Sequence, residues 1–199
     1  MTSLRSRLSA WWEGEEGGDD DAAAGGGIGG ANSNSDVMAD GAGWPAPRLA
    51  AAQMLFGEGC TFPGSKRAIT QLIEPLQLSQ DMTVVDIGAG IGTATRIIAQ
   101  ETGAKVEGLE RDPGQVELAR HFADQAGLAG QAIVLEGALG NCAIEPDSRD
   151  AIFGREALLG EADKATAFMD MWTMLKPGGQ ILLADFVAKT PAGTKEDAA

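Results

Sequence analysis

"VVDIGAGIGTATRIIAQ" (residues 84–100) runs from an apolar, β-branched segment through an aspartate into three glycines at alternate positions, then resumes as an amphipathic pattern. β-branched residues suit a pleated strand, and apolar residues three and four apart suit one face of a helix. The stretch therefore predicts a strand ending near Asp86, a turn holding Gly88, Gly90 and Gly92, and a helix. Glycine adopts positive φ at little cost and lets a ligand approach the main chain with no Cβ in the way. The dinucleotide fingerprint G-x-G-x-x-G would need its third glycine at 93, where the chain has Thr93, so the spacing here is G-x-G-x-G.

Outward from this turn the pattern alternates. Strand-like runs "TVVDIG" (83–88), "KVEGLE" (105–110), "AIVLEG" (132–137), "DAIFG" (150–154) and "QILLADFV" (180–187) are separated by helical patterns that include "TATRIIAQET", "PGQVELARHFADQAG" and "DKATAFMDMWTML". Strands that alternate with helices in this way are expected to run parallel, with helices on both faces, in an open doubly wound α/β sheet. Ligands of such sheets bind beyond the carboxyl ends of the strands, where strand order reverses. Two further helices are expected before the first strand, through "RLAAAQMLFGEG" and "SKRAITQLIEPLQL", with Pro75 ending or kinking the second.

The globular composition begins at Trp44. Residues 13–43 are glycine, acid and small polar residues with almost nothing to bury, so residues 1–43 are expected to be a disordered acidic segment, 44–187 the folded domain and 188–199 a frayed tail. The net charge of -14 argues against nucleic acid or an anionic membrane surface as the main partner. No apolar run is long enough to span a bilayer, and the basic start lacks the apolar middle of a secretory signal. Cys60 and Cys142 match neither a disulfide framework nor metal-ligand spacing, so the expectation is reduced thiols, no metal and a cytoplasmic location.

The strand, the acidic residue and the G-x-G-x-G of "VVDIGAGIG" resemble the first motif of the class I S-adenosylmethionine-dependent methyltransferases. "MWTMLKPGGQILLADF" (171–186) is similar to their helix, L-K-P-G-G turn and fifth strand, and "KVEGLERD" supplies Glu110 at the end of the second strand, where a carboxylate can accept from ribose hydroxyls. The resemblance covers residues 54–187. Within the family, "LFGEGCTFPGSKRA" (55–68) and "DAIFGREALLGEADK" (150–164) are most similar to the phosphoethanolamine and small-amine N-methyltransferases. What it implies is S-adenosylmethionine held by Asp86, Ile87, Gly88, Gly90, Gly92, Glu110, Gly137, Ala138 and Arg155, with Ile87 and Ala138 as packing walls. Glu156 then falls beside the acceptor as the catalytic candidate, and a small-molecule amine or hydroxyl is the implied acceptor. Arg155 has two further partners open to it, a substrate acid and a neighbouring glutamate. Phe62 divides between a lid and the core, and Trp172 is expected in the core with Phe168, Met171 and Leu175.

The chain departs from that pattern in several places. The S-R-D-x-x-L-H motif of the amine enzymes falls on Gly154, Arg155 and Glu156, with Gly160 where a histidine is expected. The one histidine, His121, lies in a helical pattern and is expected to be exposed, and there is no tyrosine at all. Leu139 takes the position of an acidic residue that meets the adenine amine in many relatives, which leaves stacking and the main chain of Gly137 and Ala138 to hold the base. The resemblance also implies a sixth and a seventh strand after the fifth, and the sequence carries no apolar pattern beyond 187. A bare sheet edge would favour a homo-oligomer. A methyltransferase-like fold that binds a nucleoside or partner without catalysis, or a fragment of a longer enzyme, remains the alternative.

Overall fold

The structure, a computed structural model, describes residues 46–187; the segments expected over 1–43 and 188–199 lie outside the described residues. The elements are α1 (Ala46–Phe56), α2 (Ser65–Ile73), a 3₁₀ turn (Glu74–Leu76), β1 (Thr83–Ile87), α3 (Thr93–Thr102), β2 (Lys105–Glu110), α4 (Pro113–Gln125), β3 (Ala132–Glu136), β4 (Arg149–Arg155), α5 (Lys164–Met174) and β5 (Leu175–Ala184). Pro75 sits inside the 3₁₀ turn, where its missing N–H ends α2 as its sequence position requires. Pro113 at the first turn of α4 follows Asp112, whose carboxylate accepts from the N–H groups of Gly114 and Gln115. Asp163 starts α5 the same way, accepting from Thr166.

The five strands form one sheet in the order β3-β2-β1-β4-β5, and every pairing is parallel. The order reverses between β1 and β4, which opens a crevice at their carboxyl ends. Side chains alternate across β1. Val84 faces a core with Ile69 and Ile73 of α2 and Ile98 of α3, whereas Val85 and Ile87 face a second core with Met171 and Met174 of α5. Ala89 of the glycine turn packs with Val116 and Ala119 of α4 and Val134 of β3. Burying a residue such as Val84, Ile98 or Ile152 fully contributes roughly 1.5–3 kcal/mol, and such residues hold α2 and α3 to one face of the sheet and α5 to the other.

Two expectations need correcting. β5 begins at Leu175 rather than Gln180, because the L-K-P-G-G segment is a bulge inside the strand: Leu175 pairs with Arg149 and Gln180 already pairs with Ala151. Lys176 secures the bulge with its ammonium 2.8 Å from Asp150, and a Cβ on Gly179 would lie 2.9 Å from Leu175 Cδ2. Trp172 is not in the core. It is 70% exposed, and Phe168 and Met169 beside it are exposed too, while Ala167, Met171 and Met174 form the buried stripe of α5. The apolar arc of this helix is wider than the face the sheet covers, so periodicity placed Met171 and Leu175 inside correctly and Trp172 and Phe168 wrongly.

Candidate functional site

A cleft of about 140 Å³, open to solvent, lies at the carboxyl ends of β1, β2 and β4 and is lined by Ile87, Gly88, Leu109, Glu110, Arg111, Gly137, Ala138, Leu139, Glu156, Ala157, Gly160 and Glu161. This is the switch point that the strand order creates, where ligands of doubly wound sheets bind. Of the ten site residues expected from the sequence, Ile87, Gly88, Glu110, Gly137, Ala138 and Glu156 line it.

The glycine turn is built by close approach. Gly88, Gly90 and Gly92 have φ of 68°, 56° and 70°. Only Gly88 faces the cleft; a Cβ at Gly92 would lie 3.1 Å from Ala119 and 3.3 Å from Val134, so that glycine serves the packing of α3 on α4. Gly90 contributes its amide instead, donating to Glu110 Oε2 at 2.8 Å. Glu110 also accepts at Oε1 from the N–H groups of Arg111 (2.8 Å) and Asp112 (3.0 Å). A carboxylate offers about four acceptor positions. Three of these are taken on Glu110, which leaves about one, and the three bonds tie the end of β2 to the turn.

Asp86 belongs behind the cleft, not in it. It is 2% exposed and faces α3, where Thr95 Oγ1 donates to its Oδ2 at 2.7 Å. Burial pushes its pKa up to about 7; the Thr95 hydroxyl and amide oppose that rise and the Glu110 charge adds to it. Asp86 therefore supports the first turn of α3 from below. Gly137 and Ala138 also need a correction, because their amides are already engaged. Gly137 N–H donates to Glu110 O (2.9 Å) and Ala138 N–H to Asn141 O (3.2 Å). Both residues act as walls, and Leu139 adds apolar surface beside them.

Arg155 does not line the cleft. Its side chain turns to the α2 and α3 face, stacks 4.0 Å from the centroid of Phe62 and donates to Glu156 Oε1 at 2.6 Å. Phe62, 8% exposed, is a core residue with a cation on its face. Glu156 itself adopts φ of 57°, a left-handed conformation unusual for a residue with a Cβ, and its N–H donates to Ala184 O at 2.8 Å. The strand ladder thus holds the carboxylate out at the cleft at a cost in backbone strain, a pattern associated with functional positions. His121 is exposed on α4, its ring edge-on to Phe122 at 5.6 Å, and takes no part in the cleft.

Some features of the site have no signal in the sequence. Arg111 and Glu161 pair across the cleft mouth, and no local pattern signals a contact between loops fifty residues apart. Gly108 was legible in principle, since a glycine inside a strand marks a close approach. A Cβ there would lie 2.6 Å from Ala89 Cβ, so Gly108 makes the space in which the glycine turn folds back on the sheet.

Comparison with known proteins agrees with this geometry. The chain is 32% identical over 108 residues to a sterol 24-C-methyltransferase of Neurospora crassa, covering 54% of this chain and 28% of that protein. It is 27% identical over 161 residues to phosphoethanolamine N-methyltransferase 1 of Zea mays, covering 79% and 31%. The fold superposes on Haemonchus contortus phosphoethanolamine N-methyltransferase 2, solved with phosphomonomethylethanolamine and S-adenosylhomocysteine, with a TM-score of 0.63 at 24% identity over 75% of this chain and 35% of that one. The chain spans 28% to 47% of the length of the first curated relatives it matches. The family described as a methyltransferase domain matches residues 78–199, more than half of the sequence. By that match and by the doubly wound sheet with its glycine turn, the chain belongs to the methyltransferase-domain family.

Proposed function

We propose that the protein transfers a methyl group from S-adenosylmethionine to a small-molecule acceptor, an amine or a hydroxyl. The observation that carries this is the cleft at the switch point, with Gly88 open on one wall, Glu110 at the end of β2 and the strained Glu156 opposite. The residues present fit the cofactor. The positive-φ turn has no side chain at Gly88, Glu110 has an acceptor position left for a ribose hydroxyl, and Leu109, Ala138 and Leu139 offer apolar surface to a purine. Bound S-adenosylmethionine supplies an electrophilic methyl on a sulfonium leaving group.

The protein's part is to place an acceptor in line with that methyl, and such positioning is worth roughly 7–11 kcal/mol of a barrier. Glu156 is the group for this. Its carboxylate lines the cleft, is oriented by Arg155, and can accept a hydrogen bond or a proton from an amine or hydroxyl. A displacement at a sulfonium needs no stronger base when the attacking atom already has a free lone pair. The absence of a histidine or tyrosine from the cleft is therefore compatible with turnover.

That absence also favours a second reading, in which the fold binds a nucleoside or a partner without catalysis. The domain is taken as residues 44–187, its location as cytoplasmic with two free thiols, and its partners as small molecules rather than nucleic acid or membrane. Among the described residues no helix is long and apolar enough to cross a membrane. The outer edge of β5 is the surface through which two copies would pair. Incubation with methyl-labelled S-adenosylmethionine and a panel of small amines and alcohols decides between the two readings. Transfer lost in Glu156→Ala supports the enzyme, and binding of S-adenosylhomocysteine with no transfer to any acceptor supports the second reading.

A further inference from the structure

Arg96, on α3, is half-buried and has no carboxylate within ion-pair distance among the described residues. Its guanidinium bonds two main-chain carbonyls instead. Nη1 donates to Ile91 O at 2.6 Å, inside the glycine turn, and Nη2 donates to Gly59 O at 2.6 Å, in the loop between α1 and α2. The Phe122 ring of α4 lies against it, 5.1 Å from centroid to Cζ. Burial pulls its pKa down to about 10, a pull that Cys60 opposes, so it remains charged at neutral pH. Burying a charge without a counter-charge is costly, and packing alone would be met as well by an apolar residue.

The loop is shaped around this guanidinium. Gly59 has φ of 69°, and a Cβ on it would lie 2.8 Å from Arg96 Nη2. Thr93 Oγ1, one turn earlier on α3, donates to the same Gly59 O at 2.8 Å. Three residues further on, Phe62 is seated in the core with Arg155 on its ring, and Arg155 holds Glu156. A path of contacts, joined between Gly59 and Phe62 by the main chain of the loop, therefore runs from the glycine turn through Arg96 and Arg155 to Glu156. It joins the two walls of the cleft from behind without any of the linking residues entering it.

We propose that Arg96 is a positioning residue: its planar guanidinium locks the 57–62 loop to the glycine turn and so sets the place of the Glu156 carboxylate. A lysine retains the charge but presents a single ammonium, which cannot span two carbonyls in the plane of a fork. The significance for methyl transfer rests on the function proposed above, whereas the mechanical claim does not.

The test compares wild type, Arg96→Lys and a control, Arg120→Lys, whose guanidinium also bonds a main-chain carbonyl, that of Val134, but does not touch the loop. Two quantities are read in the full chain without ligand: amide hydrogen exchange over 57–62, and the carboxyl NMR resonance of Glu156. Arg96→Lys is expected to speed loop exchange about tenfold or more and to shift the Glu156 resonance, with neither change in the control. Should Arg96→Lys fail to fold, Thr93→Val removes one of the two bonds to Gly59 O and is expected to produce the same changes in smaller measure. Unchanged exchange and an unmoved Glu156 resonance in a folded variant overturn the proposal. A titration with S-adenosylhomocysteine separates the two claims. Arg96→Lys should bind about tenfold more weakly, which is 1.4 kcal/mol; wild type that binds none removes the methyltransferase function and leaves the positioning role decided by exchange and resonance.

Discussion

At the scale of residues, Asp86 and Glu156 each carry a measurable strain. An unfolded Asp86 ionises at its ordinary value of 3.8, whereas the buried carboxyl holds its proton up to about 7. Between those two values folding takes up a proton, so this group makes stability fall as pH rises through the window and adds no further change above it. At about 1.4 kcal/mol per unit the penalty is on the order of a few kcal/mol. Asp86→Asn keeps an acceptor for Thr95 without the charge. It should gain stability relative to wild type between pH 5 and pH 8 in urea unfolding, and parallel profiles would contradict the burial argument. Glu156 pays in backbone conformation. Glu156→Gly should raise the melting temperature through relief of roughly 1 kcal/mol of left-handed strain, while methyl transfer falls. A less stable variant would show that the Ala184 and Arg155 contacts outweigh the strain.

At the scale of elements, the glycine turn depends on its neighbours as much as on its own sequence. Gly108→Ala places a methyl against Ala89 and should cost roughly 1–3 kcal/mol in denaturant unfolding while also weakening S-adenosylhomocysteine binding. Loss of the Asp112 cap at the start of α4 in Asp112→Ala should cost about 1 kcal/mol. Trp172→Ser should change unfolding free energy by no more than about 0.5 kcal/mol, since the ring is mostly in solvent. These elements also mark the limit of what the sequence conveys. Strand and helix positions from 83 to 174 were legible because periods of two and of three to four residues differ plainly there. The bulge at Lys176–Gly179 was read as a turn because Pro and Gly punctuate both. The inward placement of Asp86 followed from strand alternation, which the acidic motif position hid, and the engagement of the Gly137 and Ala138 amides depended on a β2 carbonyl and a later turn that no local pattern reveals.

At the scale of the whole molecule, one sheet brings residues from five segments of sequence to a single crevice, and helices on both faces hold it closed from behind. The net charge of -14 opposes pairing of two copies through the β5 edge, so any dimer should strengthen as salt screens that repulsion, a trend that sedimentation at rising ionic strength would detect. The crevice is the centre of the account, and calorimetric titration with S-adenosylhomocysteine tests it without need of an acceptor. Wild type should bind saturably. Leu139→Asp, which returns to the cleft wall the carboxylate that the family resemblance places against the adenine amine, should tighten binding, and Gly88→Val should abolish it in a chain that is still folded by circular dichroism. A folded wild type that takes up no S-adenosylhomocysteine, or variants that bind as wild type does, would contradict the assignment of this cleft as the cofactor site.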